Sequence, residues 1–194
     1  MVRLSGIKQD WWRKATSKGD DGIFICQKRY CAELLKRFQM FDCNPARIPL
    51  EVGTKLSREG DVAQIAPIYF KQIIRSLRYL TCTRPDIAYG VGLINRYLEA
   101  PRQSHLQVVK RIMRYLNETY DHGLFNSSSN NCDVVGYFDS DWSGDHDDRK
   151  STSSYIFNFG SDIVSWSLKK QSIVAHSTCE AEYVAAVLSA CQVI

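Results

Sequence analysis

Apolar residues recur at helical spacing through the first two thirds of the chain and at strand spacing through the last third. An apolar run at 22–26 predicts a short strand, and the turn-forming cluster at 17–22 precedes it. Tyr30, Leu34, Leu35 and Phe38 predict a helix over 27–38. Residues 40–66 hold Pro45, Pro49, Gly53 and Gly60 and read as an irregular connecting arm. Phe70, Ile73, Ile74, Leu77 and Leu80 predict a strong helix over 67–83, with Pro67 in the first turn, where its missing N–H costs little. Arg84-Pro85-Asp86 ends it and starts another over 86–98, whose stripe is Ile87, Val91, Ile94 and Leu98. Gly90 and Gly92 lower its propensity and favour close packing. Leu106, Val109, Ile112, Met113 and Leu116 predict a helix over 104–117 with Ser104 as its N-cap.

At 126–131 the sequence becomes polar and simple, Asn-Ser-Ser-Ser-Asn-Asn, and beyond it the period changes. Strands are predicted at 134–138, 154–159 and 163–166, the last two joined by a tight turn at Gly160-Ser161-Asp162. An Ala-rich helix follows over 178–191. The adjacent pair Trp11 and Trp12 would point to opposite faces of a strand and gives no clear element.

Composition adds limits. The 194 residues are 44% hydrophobic and 24% charged, which excludes general disorder. No run approaches the roughly 18 apolar residues of a membrane span, so no membrane partner is expected. Seven cysteines without a C-x-x-C pair argue against structural zinc and for reduced core thiols in an intracellular protein. His105, His122 and His146 are isolated and read as packing or surface residues.

Two sets of residues carry chemistry. Asp139 and Asp141 end the first strand of the second part, and Glu180 and Glu182 open its helix. Carboxylates so placed can be brought together by the fold, and such clusters hold divalent ions for phosphodiester chemistry. The second set is basic, with a net charge of +4 over the chain. Lys71, Arg75 and Arg78 form a stripe at i, i+4, i+7, and Lys110, Arg111 and Arg114 line the outer face of the later helix. Lys169 and Lys170 add a pair in the second part. These faces read either as solvated helix surface or as a phosphate-contacting surface without sequence selectivity.

The strings LLKRF, YFKQIIRSLRYLTCTRPDIAYGVGLINRY, SHLQVVKRIMRYL, GYFDSDWSGDHDDRKSTS, VSWSLKKQSIV and STCEAEYVAA, in that order, resemble the reverse transcriptase–RNase H segment of copia-type retrotransposon Pol polyproteins. The resemblance implies an α+β chain: residues 1–125 a helical thumb/connection-like region, 126–131 a polar joint, and 132–194 the N-terminal half of an RNase H-like domain with three strands and the first helix. It makes Asp139 and Glu182 the matching metal-binding positions, with Mg2+ the implied ion. It also implies an RNA–DNA hybrid or duplex as partner, through Lys71, Lys110, Arg111, Arg114, Lys169 and Lys170. Two departures follow. No Tyr/Phe-x-Asp-Asp hairpin occurs in the chain, and the family's remaining RNase H aspartates fall beyond Ile194. The expectation is therefore a catalytically inert chain with vestigial Asp139 and Glu182, weak magnesium binding at most, residual nucleic-acid affinity, an unpaired sheet edge, and an intracellular or nuclear location.

A third departure is Arg75, where that family usually has Gly. Arg75-Ser76-Leu77-Arg78 resembles the RxLR motif of secreted oomycete effectors. That resemblance implies an alternative: a non-catalytic protein secreted and translocated into a host cell, where it binds a host protein.

Overall fold

Among the described residues, helical spacing becomes four α-helices around one apolar core, and strand spacing becomes a three-stranded sheet with a single helix against it. The structure is a computed structural model that describes residues 16–59, 65–128 and 133–192. Trp11, Trp12, Cys132 and residues 129–131 of the polar joint lie outside the described residues.

Strands β1 (Thr16–Gly19) and β2 (Gly22–Cys26) form a hairpin that leads into helix α1 (Lys28–Arg37). After the arm come α2 (Pro67–Leu80), α3 (Ala88–Ile94) and α4 (Gln103–Glu118), and then strand β3 (Gly123–Ser127). The second part holds β4 (Val134–Asp141), β5 (Thr152–Phe159), β6 (Asp162–Lys170) and α5 (Thr178–Ala190). The architecture is α+β, with two antiparallel sheets ordered β1-β2-β3 and β4-β5-β6 among the described residues.

The predicted stripes form the core. Phe70, Ile73, Ile74, Leu77 and Leu80 of α2 meet Leu34 and Leu35 of α1, Val91 and Ile94 of α3, and Val109, Ile112, Met113 and Leu116 of α4. Each such side chain contributes about 1.5–3 kcal/mol on burial. The helix expected over 86–98 is broken into a 3-10 turn at Pro85–Ile87, α3, and a second 3-10 turn at Asn95–Tyr97. Its glycines mark close approach: a Cβ at Gly90 would lie 3.0 Å from Ile112 Cδ1, and one at Gly92 2.7 Å from Leu168 Cδ2. Ser104 does not cap α4. Arg102 holds the N-cap position, and its N–H donates to His105 Nδ1 at 3.0 Å. The buried His105 ring stacks on Tyr97 and donates from Nε2 to the Ser57 carbonyl at 3.1 Å. A histidine that supplies both a helix-start acceptor and a donor to the arm displaces Ser104 from that role.

The helix-breaking triplet at 84–86 forms a polar joint around the buried Arg84. The Arg84 guanidinium, 3% exposed, bonds both Asp86 carboxylate oxygens and the carbonyl and hydroxyl of Thr119. Tyr115 donates its hydroxyl to Asp86 at 2.8 Å. Burial pushes the Asp86 carboxyl up, but the bonds and charge of Arg84 outweigh it and hold it below its ordinary value.

Two strands were not legible in the apolar pattern. β1 lies across the predicted turn cluster, and β3 pairs antiparallel with β2 from Gly22↔Ser127 to Cys26↔Gly123. The polar joint at 126–131 therefore opens inside β3. Backbone pairing, rather than side-chain burial, makes this strand.

The three strands of the second part run longer than their apolar runs. β4 pairs with β5 from Val134↔Phe159 to Asp141↔Thr152, and β6 pairs with the other side of β5. Helix α5 packs on one face through Ala181 and Ala185, and α3 approaches the other at Leu168. Few large apolar groups are enclosed here, and Val134, Tyr137, Phe138 and Tyr183 remain exposed. The cysteines depart from the expected core thiols: Cys31 is buried, but Cys82, Cys179 and Cys191 are exposed, and the described cysteines are all free. Burial pushes the Cys31 thiol up to about 11. Among the described residues no helix is long and apolar enough to cross a membrane.

Candidate functional site

Two of the acidic candidates, Asp139 and Glu182, approach one another at the β4 side of the second sheet. Among the described residues β4 pairs with β5 on one side only. On the other side, Glu182 Oε1 of α5 accepts the Ser140 N–H at 3.3 Å, which sets that carboxylate beside the residue that follows Asp139. The fold therefore brings the neighbourhoods of Asp139 and Glu182 together. Asp141 is turned inward and accepts the Thr152 N–H. Burial pushes its carboxyl up, the Thr152 bonds and Arg96 oppose this, and the charge of Asp139 adds to it. Glu180 closes the start of α5: Ser177 Oγ accepts from Glu180 N–H at 3.1 Å, while Glu180 Oε2 accepts from His176 N–H at 2.7 Å. The Ser-x-x-Glu spacing announces this cap in the sequence.

Magnesium demands a near-octahedral oxygen shell, and a two-metal centre needs several carboxylates around both ions. Among the described residues no three His, Cys, Asp or Glu side chains come together to hold a metal ion. Glu180, Asp141 and Glu182 each accept a backbone N–H, so only Asp139 of the four candidates has no such bond among the described residues. This set does not fit a two-magnesium centre.

Two of the predicted basic residues hold the arm. Arg114 donates from Nε to the Asn44 carbonyl at 2.7 Å, and Arg111 meets Glu51 at 2.6 Å. Lys170 is bound to Asp145 at 2.6 Å and to Asp148 at 2.8 Å. Lys71, Arg75, Arg78, Lys110 and Lys169 make no ion pair among the described residues. In the RxLR-like string, Arg75 and Arg78 are exposed, Ser76 Oγ bonds the Gln72 carbonyl, and Leu77 is wholly buried.

A centre that the sequence reading missed lies in the loop between β4 and β5. Asp145, 4% exposed, receives Arg96 at 3.1 Å and Lys170 at 2.6 Å on Oδ2, and the N–H groups of Asp147 and Asp148 on Oδ1. Burial pushes its carboxyl up, but these bonds and the Lys170 charge outweigh burial and hold it at about 2. Arg96 also bonds Thr152 Oγ1 at 2.7 Å, and Asp147 accepts from Ser57 Oγ at 2.9 Å. This loop ties the helical part to the second sheet. Its signal was the dense run Asp145-His-Asp-Asp-Arg-Lys150, which cannot be assigned partners without the fold.

The order of elements, with helical part, joint, three antiparallel strands and a Glu-bearing helix, is the order implied by the copia-type resemblance. Comparison with known proteins agrees. The chain is 41% identical over 162 residues to the retrovirus-related Pol polyprotein from transposon RE1 of Arabidopsis thaliana, a match that covers 84% of this chain and 11% of the polyprotein. It is 36% identical over 172 residues to an uncharacterized mitochondrial protein of the same plant, covering 88% of this chain and 71% of that protein. The chain belongs to the copia-type retrotransposon Pol family.

This Pol segment spans about a tenth of the length of the transposon polyproteins it matches. It is also 39% identical over 117 residues to secreted RxLR effector protein 161 of Plasmopara viticola, covering 60% of this chain and 82% of the effector. No family model matches the chain. No solved structure matches it.

Proposed function

We propose that this Pol-derived chain is a non-catalytic nucleic-acid-binding segment that contacts duplex or RNA–DNA hybrid phosphates. The observation that carries this reading is the stripe on α2. Lys71, Arg75 and Arg78 share one face of that helix without ion pairs among the described residues, and Arg78 ends the stripe in a cleft shared with Lys169. Unpaired cations in a row attract a phosphate backbone by counterion release, without sequence choice. Arg111 and Arg114 support the surface by fixing the arm, and Lys110 extends it on α4.

The lack of catalysis follows from the carboxylates. Asp139 and Glu182 alone bind magnesium weakly and do not align a water for in-line attack. An RNA–DNA hybrid tests both claims. Binding is expected to weaken steeply between low and high salt, with no magnesium-dependent cleavage. Cleavage abolished by Asp139→Asn, or binding indifferent to ionic strength, overturns the reading.

Similarity to the oomycete effector favours a second reading, in which the chain is secreted, enters a host cell and binds a host protein. Leu77 lies in the core of α2, so only Arg75 and Arg78 of the motif are presented to a receptor unless the helix opens. Expression in plant cells with a cell-death readout tests it: unchanged cells, with or without an added signal peptide, retire it.

A further inference from the structure

A cleft of about 380 Å³ opens between α3 and β6, at the seam of the two parts. Arg78, Arg96, Lys169 and Lys170 line it together with Trp166 and Asn95, and no carboxylate is among its lining residues. We propose that this cleft binds one unpaired nucleotide of a nucleic-acid strand. The proposal rests on the nucleic-acid reading above and names the unit that this basic cleft would take.

The chemistry of the lining sets the ligand. Arg96 and Lys170 are anchored from behind by Asp145, which fixes where their remaining N–H groups point. Arg78 and Lys169 have no ion pair among the described residues, so the cleft carries uncompensated positive charge. A phosphate is the anion that such a mixed guanidinium and ammonium set holds best. Trp166 is half-buried in the wall and offers an indole for stacking, which every base accepts. Asn95 Oδ1 is buried with no hydrogen-bond partner. Asn95 lines the cleft beside these cations, where its amide can meet a base or sugar. The absence of a side chain at Gly92 lets Leu168 of β6 pack directly against α3, which sets the spacing of the two walls. A pocket this size falls in the range of small-ligand sites, whereas a duplex, whose major groove alone is about 12 Å wide, does not fit inside it. The occupant is thus a single nucleotide, not a helix.

The experiment is calorimetric titration of the full chain with adenosine 5′-monophosphate, adenosine and inorganic phosphate, beside the RNA–DNA hybrid. The monophosphate is expected to bind at least about tenfold more tightly than adenosine or phosphate alone, because base and phosphate sites act together. Arg78→Glu and Lys169→Glu, both on exposed side chains, are each expected to weaken it about tenfold with an unchanged melting temperature. Asn95→Leu is expected to weaken it several-fold while leaving phosphate binding alone. Monophosphate binding no tighter than phosphate, or unaffected by both charge reversals, overturns the proposal. Salt-dependent hybrid binding without monophosphate binding leaves the broader reading standing and removes this site. Monophosphate binding without hybrid binding does the reverse.

Discussion

Arg96 Nη1 lies 3.1 Å from Asp145 Oδ2, and that contact joins the helical part to the sheet that follows it. Asp145 is almost wholly enclosed and shared with Lys170. Replacing it by Ala leaves the partly buried Arg96 without a carboxylate, while Lys170 keeps Asp148, and the expected loss is about 3 kcal/mol. Urea unfolding followed by circular dichroism measures this. A loss below about 1 kcal/mol would mean that the seam is held elsewhere.

The same carboxylate sets an acid limb of stability. Its folded value is about 2, below the ordinary value of 3.8, so the ionised form is favoured by folding. The contribution is complete above about pH 4 and is lost as the pH falls toward 2; it amounts to about 2 kcal/mol. Asp145→Asn is expected to flatten the stability profile in that window, relative to the parent chain.

Arg84 and Asp86 are expected to behave as a coupled pair. Asp86→Leu leaves the buried Arg84 guanidinium without its carboxylate and should cost about 3 kcal/mol, whereas adding Arg84→Leu should recover part of it. A double-mutant cycle by thermal melting checks this, and simple additivity would contradict it.

Sequence reading went furthest where side chains decide the structure. The stripe Phe70, Ile73, Ile74, Leu77 and Leu80 was plain because each position is buried. β3 was opaque because Asn126 and Ser127 are held by backbone pairing to Ile23 and Gly22. Asp139 and Glu182 stood out by motif, yet the partners of Asp145 did not, because Arg96 and Lys170 reach it from elements 49 and 25 residues away. Arg114 looked like a member of a basic face. Only the path of the arm reveals that its guanidinium caps the Asn44 carbonyl.

That distinction separates two arginine and lysine phenotypes. Lys110→Glu is expected to reduce hybrid binding several-fold at low salt with little change in melting temperature. Arg114→Ala should lower the melting temperature, through about 1–2 kcal/mol of lost hydrogen bonding, with a smaller effect on binding. Fluorescence anisotropy and thermal melts on the same samples separate them.

Among the described residues β4 is an edge strand, with exposed Val135, Tyr137 and Phe138 and no proline or lysine to blunt it. Such an edge templates pairing with another chain. Sedimentation is expected to show association that grows with concentration, and Tyr137→Lys should suppress it. A chain that stays monomeric at high concentration would show the edge to be protected.

The pairing of β2 with β3 spans about a hundred residues, from Gly22 to Ser127. The sheet at the start of the chain therefore closes only after every helix of the first part has been synthesised. Loop closure over that length is slow, and such non-local contacts raise the contact order of an otherwise locally connected helical unit. During translation at about 5–20 residues per second, the β1–β2 hairpin waits several seconds on the ribosome with one edge open, a period in which a chaperone has time to act.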